Sequence, residues 1–208
     1  MMKIIACKIY KKYLELLNVD EEIVYLDIES HLYPKRLTRL IQKEIDSCQN
    51  VDHILLLYGL CGNALLDIHA HDIPVYVIRV HDCLSVLLGG QKRWNELFSH
   101  RRSQSWSCFS LENQRMFQLE DYDEEDREYL ESILKQDKEI YISFGMDEEK
   151  IYEKQYKEII LADLSFLKDL IQLKSDELLE ITKDDQLFFD DKQIIRKEKK
   201  NGYSNKDL

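Results

Sequence analysis

Cys7, His31, Cys61, His81 and Cys83 are the residues of this chain whose types could do chemistry together. Each follows an apolar, β-branched run: Ile4-Ile5-Ala6 before Cys7, Ile23 to Ser30 before His31, Ile54 to Leu60 before Cys61, and Val75 to Val80 before His81 and Cys83. Thiolate and imidazole are ligands of zinc or iron rather than of magnesium or calcium. A reactive thiolate is the other chemistry open to such a set. In an open parallel sheet, ligands bind just beyond the carboxyl ends of the strands. Donors that each end a strand therefore gather along one edge.

The segment Gly59-Leu60-Cys61-Gly62-Asn63 reads as a sharp turn from a buried strand into a helix. Gly59, Gly62 and Asn63 would let the backbone approach a cofactor, and the N–H groups opening that helix would favour negative charge. A cysteine so placed has its thiolate stabilised. The plainer reading is that Cys61 is a small core residue at a tight turn. In His81-Asp82-Cys83, residues two apart on an extended segment point to the same side, so one metal could take both. Asp82 reads as the cap of a helix from Leu84, or as the group that orients His81 or accepts its proton. His81 alone would be a core histidine; Cys83 beside it argues for a site. Cys7 and His31 draw their weight from position. Cys48, His53, His69, His71, His100 and Cys108 have no comparable arrangement and read as surface, helix-end or loop residues, with Cys108 an outside candidate for the site.

The elements that must hold these donors alternate. Strands are expected over 3–10, 23–28, 54–58 and 75–80. Helices are expected over 10–17, from Pro34 to about 48, over 63–69 and from Leu84 onward. The run 54–58 is apolar without alternation, as in a strand covered on both faces. The pattern is that of βαβ units with right-handed crossovers: an α/β fold with an open, mostly parallel sheet and flanking helices, a Rossmann-like three-layer arrangement. Beyond residue 97 the reading is a loop over 100–110, a helix over 118–135, a strand over 140–144, a helix from Asp147, a helical stripe from Ile159 to Leu173 and a short edge strand at 187–189. The C-terminal part is thus expected to be largely helical. Residues 1–196 read as one α/β domain and 197–208 as a polar, disordered tail.

Composition sets the outer bounds. A chain of 208 residues with 44% hydrophobic and 33% charged residues can bury a sizeable core. The net charge of −11, with scattered basic residues, argues against a nucleic-acid partner. The longest apolar run falls well short of the ~20 residues that span a bilayer, and no signal peptide is evident. A cytoplasmic protein is expected, in which the five cysteines stay reduced and available.

At Gly59-Leu60-Cys61-Gly62-Asn63 and at His81-Asp82-Cys83 leading into Leu84-Ser85-Val86-Leu87-Leu88-Gly89-Gly90, the chain resembles the domain-of-unknown-function family 1638. Cys7 and His31-Leu32-Tyr33-Pro34 also look like that family's opening, so the likeness covers about residues 3–98. A later Tyr-Leu-Thr-Pro-Gly-Trp-like segment of the family has its nearest counterpart in Trp106 to Leu111, which lacks the proline and glycine. The resemblance implies an association with corrinoid-dependent methyl transfer. A His-x-Cys pair with a distant cysteine also holds zinc in some corrinoid-linked thiol methyltransferases, which have a barrel fold this chain is too short to form.

Three functions fit these observations. In the first, zinc or iron held by Cys7, Cys61, His81 and Cys83, with His31 as a further ligand or acid–base, serves an enzyme acting on a small thiol or one-carbon substrate. A closed set of four ligands would be structural, whereas three leave an open position. In the second, a metal-free enzyme uses Cys61 as nucleophile and His81 as base. In the third, a non-catalytic module carries the metal or a cofactor and docks a protein partner in methyl transfer.

Overall fold

All six residues of the first strand, Met2–Cys7 (β1), are buried, which its lack of polar alternation requires. The computed structural model describes residues 1–100, 106–112, 124, 127, 140–145, 156–190 and 193–198. β1 lies between β2 (Glu22–Leu26) and β3 (His53–Leu57), parallel to both. β4 (Val75–Ile78) continues the parallel run beside β3, and β8 (Leu178–Ile181) closes that side antiparallel, giving the order β2-β1-β3-β4-β8. The connections leave β1 toward β2 on one side and β3 on the other. That divergence opens a crevice beyond the carboxyl ends of β1 and β3, where such sheets bind ligands.

The helices follow from local chemistry. α1 (Lys11–Leu16) buries Tyr13 and Leu14, and α2 (Pro34–Asp46) opens on Pro34 and buries Leu37, Ile41 and Ile45 at helical spacing. α3 (Cys83–Leu87) is buried along its length and leads through Gly89 and Gly90 into α4 (Gln91–Phe98). Ile54, Leu55, Leu56 and Leu57 of β3 are fully buried, each side chain contributing about 1.5–3 kcal/mol by leaving water.

A second parallel sheet, β5 (Trp106–Cys108), β6 (Ile140–Ser143) and β7 (Glu158–Leu161), packs beside the first. Ser110, in α5 (Phe109–Glu112), donates to the Ile9 carbonyl at 2.7 Å, and the Tyr13 hydroxyl donates to Ile142 at 3.5 Å. α6 (Leu164–Ile171) packs against α3, and a hairpin of β9 (Asp185–Asp190) and β10 (Gln193–Glu198) completes the described chain.

The expected α/β class, with a mostly parallel sheet and flanking helices, is the class observed. Several details differ. No helix forms over 63–69: Cys61, Gly62 and Asn63 all take positive φ (47°, 68° and 70°), and the chain runs on in turns. Three left-handed residues in a row cannot start a right-handed helix. The expected loop at 100–110 contains β5. The stripe from Ile159 divides at Ala162, its first part forming β7 and its second α6. The C-terminal part is mixed rather than largely helical, with β7 to β10 and α6 among its described residues. In the expected helix at 118–135 only Glu124 and Arg127 are described, both helical, and the helix from Asp147 lies outside the described residues. Of the expected tail, Lys197 and Glu198 belong to β10, and 199–208 lie outside the described residues.

Candidate metal centre

Four side chains converge beyond the carboxyl ends of β1 to β4. Cys7 is the last residue of β1 and caps a 3-10 turn, Lys8–Tyr10, its sulfur accepting from the Ile9 N–H at 3.5 Å. His31 stands in the 3-10 turn Ile28–Leu32 that follows β2. Its Nδ1 lies 2.9 Å from the Ile28 carbonyl and its Nε2 lies 3.4 Å from the Cys83 sulfur. A carbonyl only accepts, so Nδ1 carries a proton there and Nε2 is the nitrogen that faces the sulfur. A backbone carbonyl fixing the far nitrogen is the usual support of a metal-ligating histidine.

Cys83 is the hub. Its sulfur lies 3.4 Å from the Cys61 sulfur as well as 3.4 Å from His31 Nε2. The donor atoms of Cys7, His31 and Cys83 all lie within 4.8 Å of one another. Ligand atoms around a tetrahedral zinc stand about 3.5–3.8 Å apart, from Zn–S near 2.3 Å and Zn–N near 2.0–2.1 Å. The three donors therefore fit one ion after small adjustments. Asp82 caps α3, its Oδ1 accepting from the Ser85 N–H at 2.8 Å and from the Ser85 hydroxyl at 2.9 Å. The Tyr10 hydroxyl donates to the Cys83 carbonyl at 3.1 Å, so the Cys83 backbone is held from β1's side as well as by the cap that opens α3.

Cys61 is held by its turn. Leu60 N–H donates to Val80 at 3.0 Å and Cys61 N–H to His81 at 3.1 Å, which zips the turn beyond β3 to the one beyond β4. Gly59 permits that approach, because a Cβ there would stand 2.5 Å from the Asp82 backbone. A Cβ on Gly62 would meet Pro34 at 3.0 Å, and Thr38 of α2 donates to the Ala64 carbonyl at 2.8 Å. The left-handed Cys61 costs about 1–2 kcal/mol, and neighbours on both sides hold it there.

The sulfurs differ in charge preference. Burial would push Cys83 up, but Cys61, Cys7 and His31 together hold its thiol well below the ordinary range. Cys61 is pushed up, first by its contact with Cys83 and then by burial; Cys7 is pushed up by burial and then by Cys83. Burial opposes protonation of His31, yet the Cys83 sulfur raises it above the ordinary histidine value. These directions are those of one negative charge shared among the buried sulfurs rather than several. No helix starts at Cys61, so the expected dipole support for its thiolate is absent. Nearby, the fully buried Tyr58 stacks on His31 with ring centroids 5.7 Å apart, and its hydroxyl has no hydrogen-bond partner among the described residues.

The cluster opens into a cleft of about 340 Å³, lined by Cys7, His31, Cys61 and Cys83 together with Gly62, Asp82, Ile9, Ile28, Leu84, Trp106 and Leu111.

Of the residues singled out in the sequence, Cys7, His31, Cys61 and Cys83 come together. His81 does not join them: its side chain is 60% exposed, with Nδ1 3.2 Å from Asp82 Oδ2. The i, i+2 alternation that would have aligned His81 with Cys83 stops where Val80 N–H bonds Ile78 at 2.9 Å and α3 begins at Cys83. Gly59 and Gly62 serve close backbone approach, and Asn63 is an exposed turn residue. The sequence reading missed Trp106 and Leu111, which arrive from the second sheet, and Tyr10, which anchors Cys83. Tyr10 and Tyr13, three apart among lysines, were the available signal that one face of this segment is buried and that its hydroxyls need partners; a three-residue strand at Trp106 left almost none.

No helix among the described residues is long and apolar enough to cross a membrane. Comparison with curated proteins and with solved structures finds no match. The family described as "Protein of unknown function (DUF1638)" matches residues 25–167, which takes in His31, Cys61, Cys83 and Trp106. That match covers well over half of the chain, and the protein belongs to the DUF1638 family.

Proposed function

We propose that this protein is a cytoplasmic metal enzyme in which Cys7, His31 and Cys83 hold a zinc or ferrous ion and the cleft admits a small thiol or one-carbon substrate. The observation that carries this reading is the Cys83 sulfur, 3.4 Å from both Cys61 Sγ and His31 Nε2, at the floor of a cleft. Two thiolates and an imidazole are a ligand set that leaves one position free, as catalytic zinc sites do. The ion would supply Lewis acidity to a thiol or one-carbon group. Cys61 would stand beside that ion, its sulfur 3.4 Å from Cys83, and with Gly62 it lines the cleft. Asp82, with His81 3.2 Å away at the rim, takes up the proton that a substrate thiol releases. The association with corrinoid-dependent methyl transfer that the resemblance implies supports a protein partner to which a one-carbon group is passed.

The competing reading is a metal-free thiolate enzyme, which the Cys83–His31 contact also suits. Elemental analysis of anaerobically purified protein separates the two. The proposal expects about one zinc or iron per chain, lost in Cys7→Ser and Cys83→Ser variants that keep their circular dichroism. Metal-free wild type that is rapidly alkylated at Cys83 sinks the metal reading and establishes the other. A metal that stays bound yet never responds to added thiols points instead to a structural or carrier site.

A further inference from the structure

The cleft's walls are more specific than its floor. Ile9, Ile28, Leu84, Leu111 and Trp106 form apolar sides, and Asp82 is the one carboxylate among the described residues of the lining. Among the described residues the lining holds no lysine or arginine. Lys8, next in sequence to Cys7, is paired with Asp27 at 3.0 Å and is not part of the lining. Every described ionisable group of the lining except His31 is neutral or negative, and the whole chain carries a net charge of −11. An anionic group entering would give up its water to face the Asp82 carboxylate and three buried sulfurs, with no described cation beyond the centre itself to receive it. An ammonium would meet a carboxylate and an indole face, both of which attract it.

Building on the metal reading, we infer that the cleft selects a small thiol whose tail carries no negative charge, with Trp106 packing on that tail. Size agrees: about 340 Å³ is at the lower end of small-molecule pockets. Trp106 comes from β5, so the second sheet supplies selectivity while the first supplies the donors.

The test uses three thiols of equal length: cysteamine, mercaptoethanol and mercaptoacetate. The chain has two tryptophans, Trp94 and Trp106, so a Trp94→Phe variant leaves Trp106 as the sole fluorescent reporter. Each thiol is titrated into the zinc-loaded and the metal-free protein, with metal content measured in parallel. The expected result is saturable change with cysteamine and mercaptoethanol, and mercaptoacetate weaker by at least about tenfold. Asp82→Asn, which keeps a helix cap, should narrow that gap. Mercaptoacetate binding within about threefold of mercaptoethanol, or no thiol perturbing Trp106 in either form, overturns the inference. A protein that binds no zinc but still ranks the thiols by charge upholds the inference and removes the metal reading. Zinc bound with no charge preference does the reverse.

Discussion

The two edges of the main sheet carry similar residues and do opposite things with them. At the carboxyl edge, Cys7, His31, Cys61 and Cys83 face one another. At the other, Cys48, His69 and His71 face outward or into local bonds. Cys48 donates to the Glu44 carbonyl at 3.1 Å, His69 N–H is taken by Gln42 at 2.9 Å, and His71 pairs with Asp46 at 2.8 Å while 60% exposed. That edge even has the larger cavity, about 490 Å³, lined by Asp46, Cys48 and His71. Residue type and cavity size therefore do not identify a site. What distinguishes the carboxyl edge is convergence of donors whose bonding capacity is still unspent, in a place where burial makes unspent capacity costly.

The comparison breaks most sharply on ligand removal. Cys83→Ser should take the metal content from about one per chain to below about a tenth, whereas Cys48→Ser and His71→Gln should leave it unchanged; elemental analysis reads all three. Loss of metal in His71→Gln would mean that the ion binds at the opposite edge. Gly59→Ala comes next. Its Cβ would enter the Asp82 backbone at 2.5 Å, so the two turns must part, with an expected cost of about 1–3 kcal/mol in denaturant unfolding and weaker metal retention. An unchanged midpoint would show that the zipped turns do not position the site.

Tyr10→Phe should cost about 1 kcal/mol, since the Cys83 carbonyl loses its donor while the ring still fills its place. Tyr58→Phe sharpens the picture by its sign. The Tyr58 hydroxyl is buried without a hydrogen-bond partner among the described residues, so its removal should leave the metal-free protein as stable or slightly more so in thermal unfolding. A clear destabilisation would mean that the hydroxyl has a partner even without a ligand.

The legible part of the fold was the part written locally. The apolar runs at 4–7, 54–57 and 75–78 gave the strands, and their endings at Cys7, Gly59 and Asp82 gave the turns. The second sheet was obscure because β5 is three residues long and its meaning rests on pairing with β6, over thirty residues away. The helix expected at 63–69 failed for a local reason, the left-handed backbone of Cys61-Gly62-Asn63, which a glycine beside an asparagine only hints at.

Sequence by itself determined that thiols and imidazoles end successive strands of a parallel sheet, because strand period and turn chemistry are local properties of the chain. Tertiary structure decided which of them meet. It chose His31 over His81, since the extended backbone ends before Cys83 and the imidazole of His81 is left outside while the 3-10 turn after β2 carries His31 inward. It also chose the walls, bringing Trp106 and Leu111 to a site more than twenty residues before them. Both choices depend on contacts between distant segments, whose energies come from burial and close approach that no local pattern records.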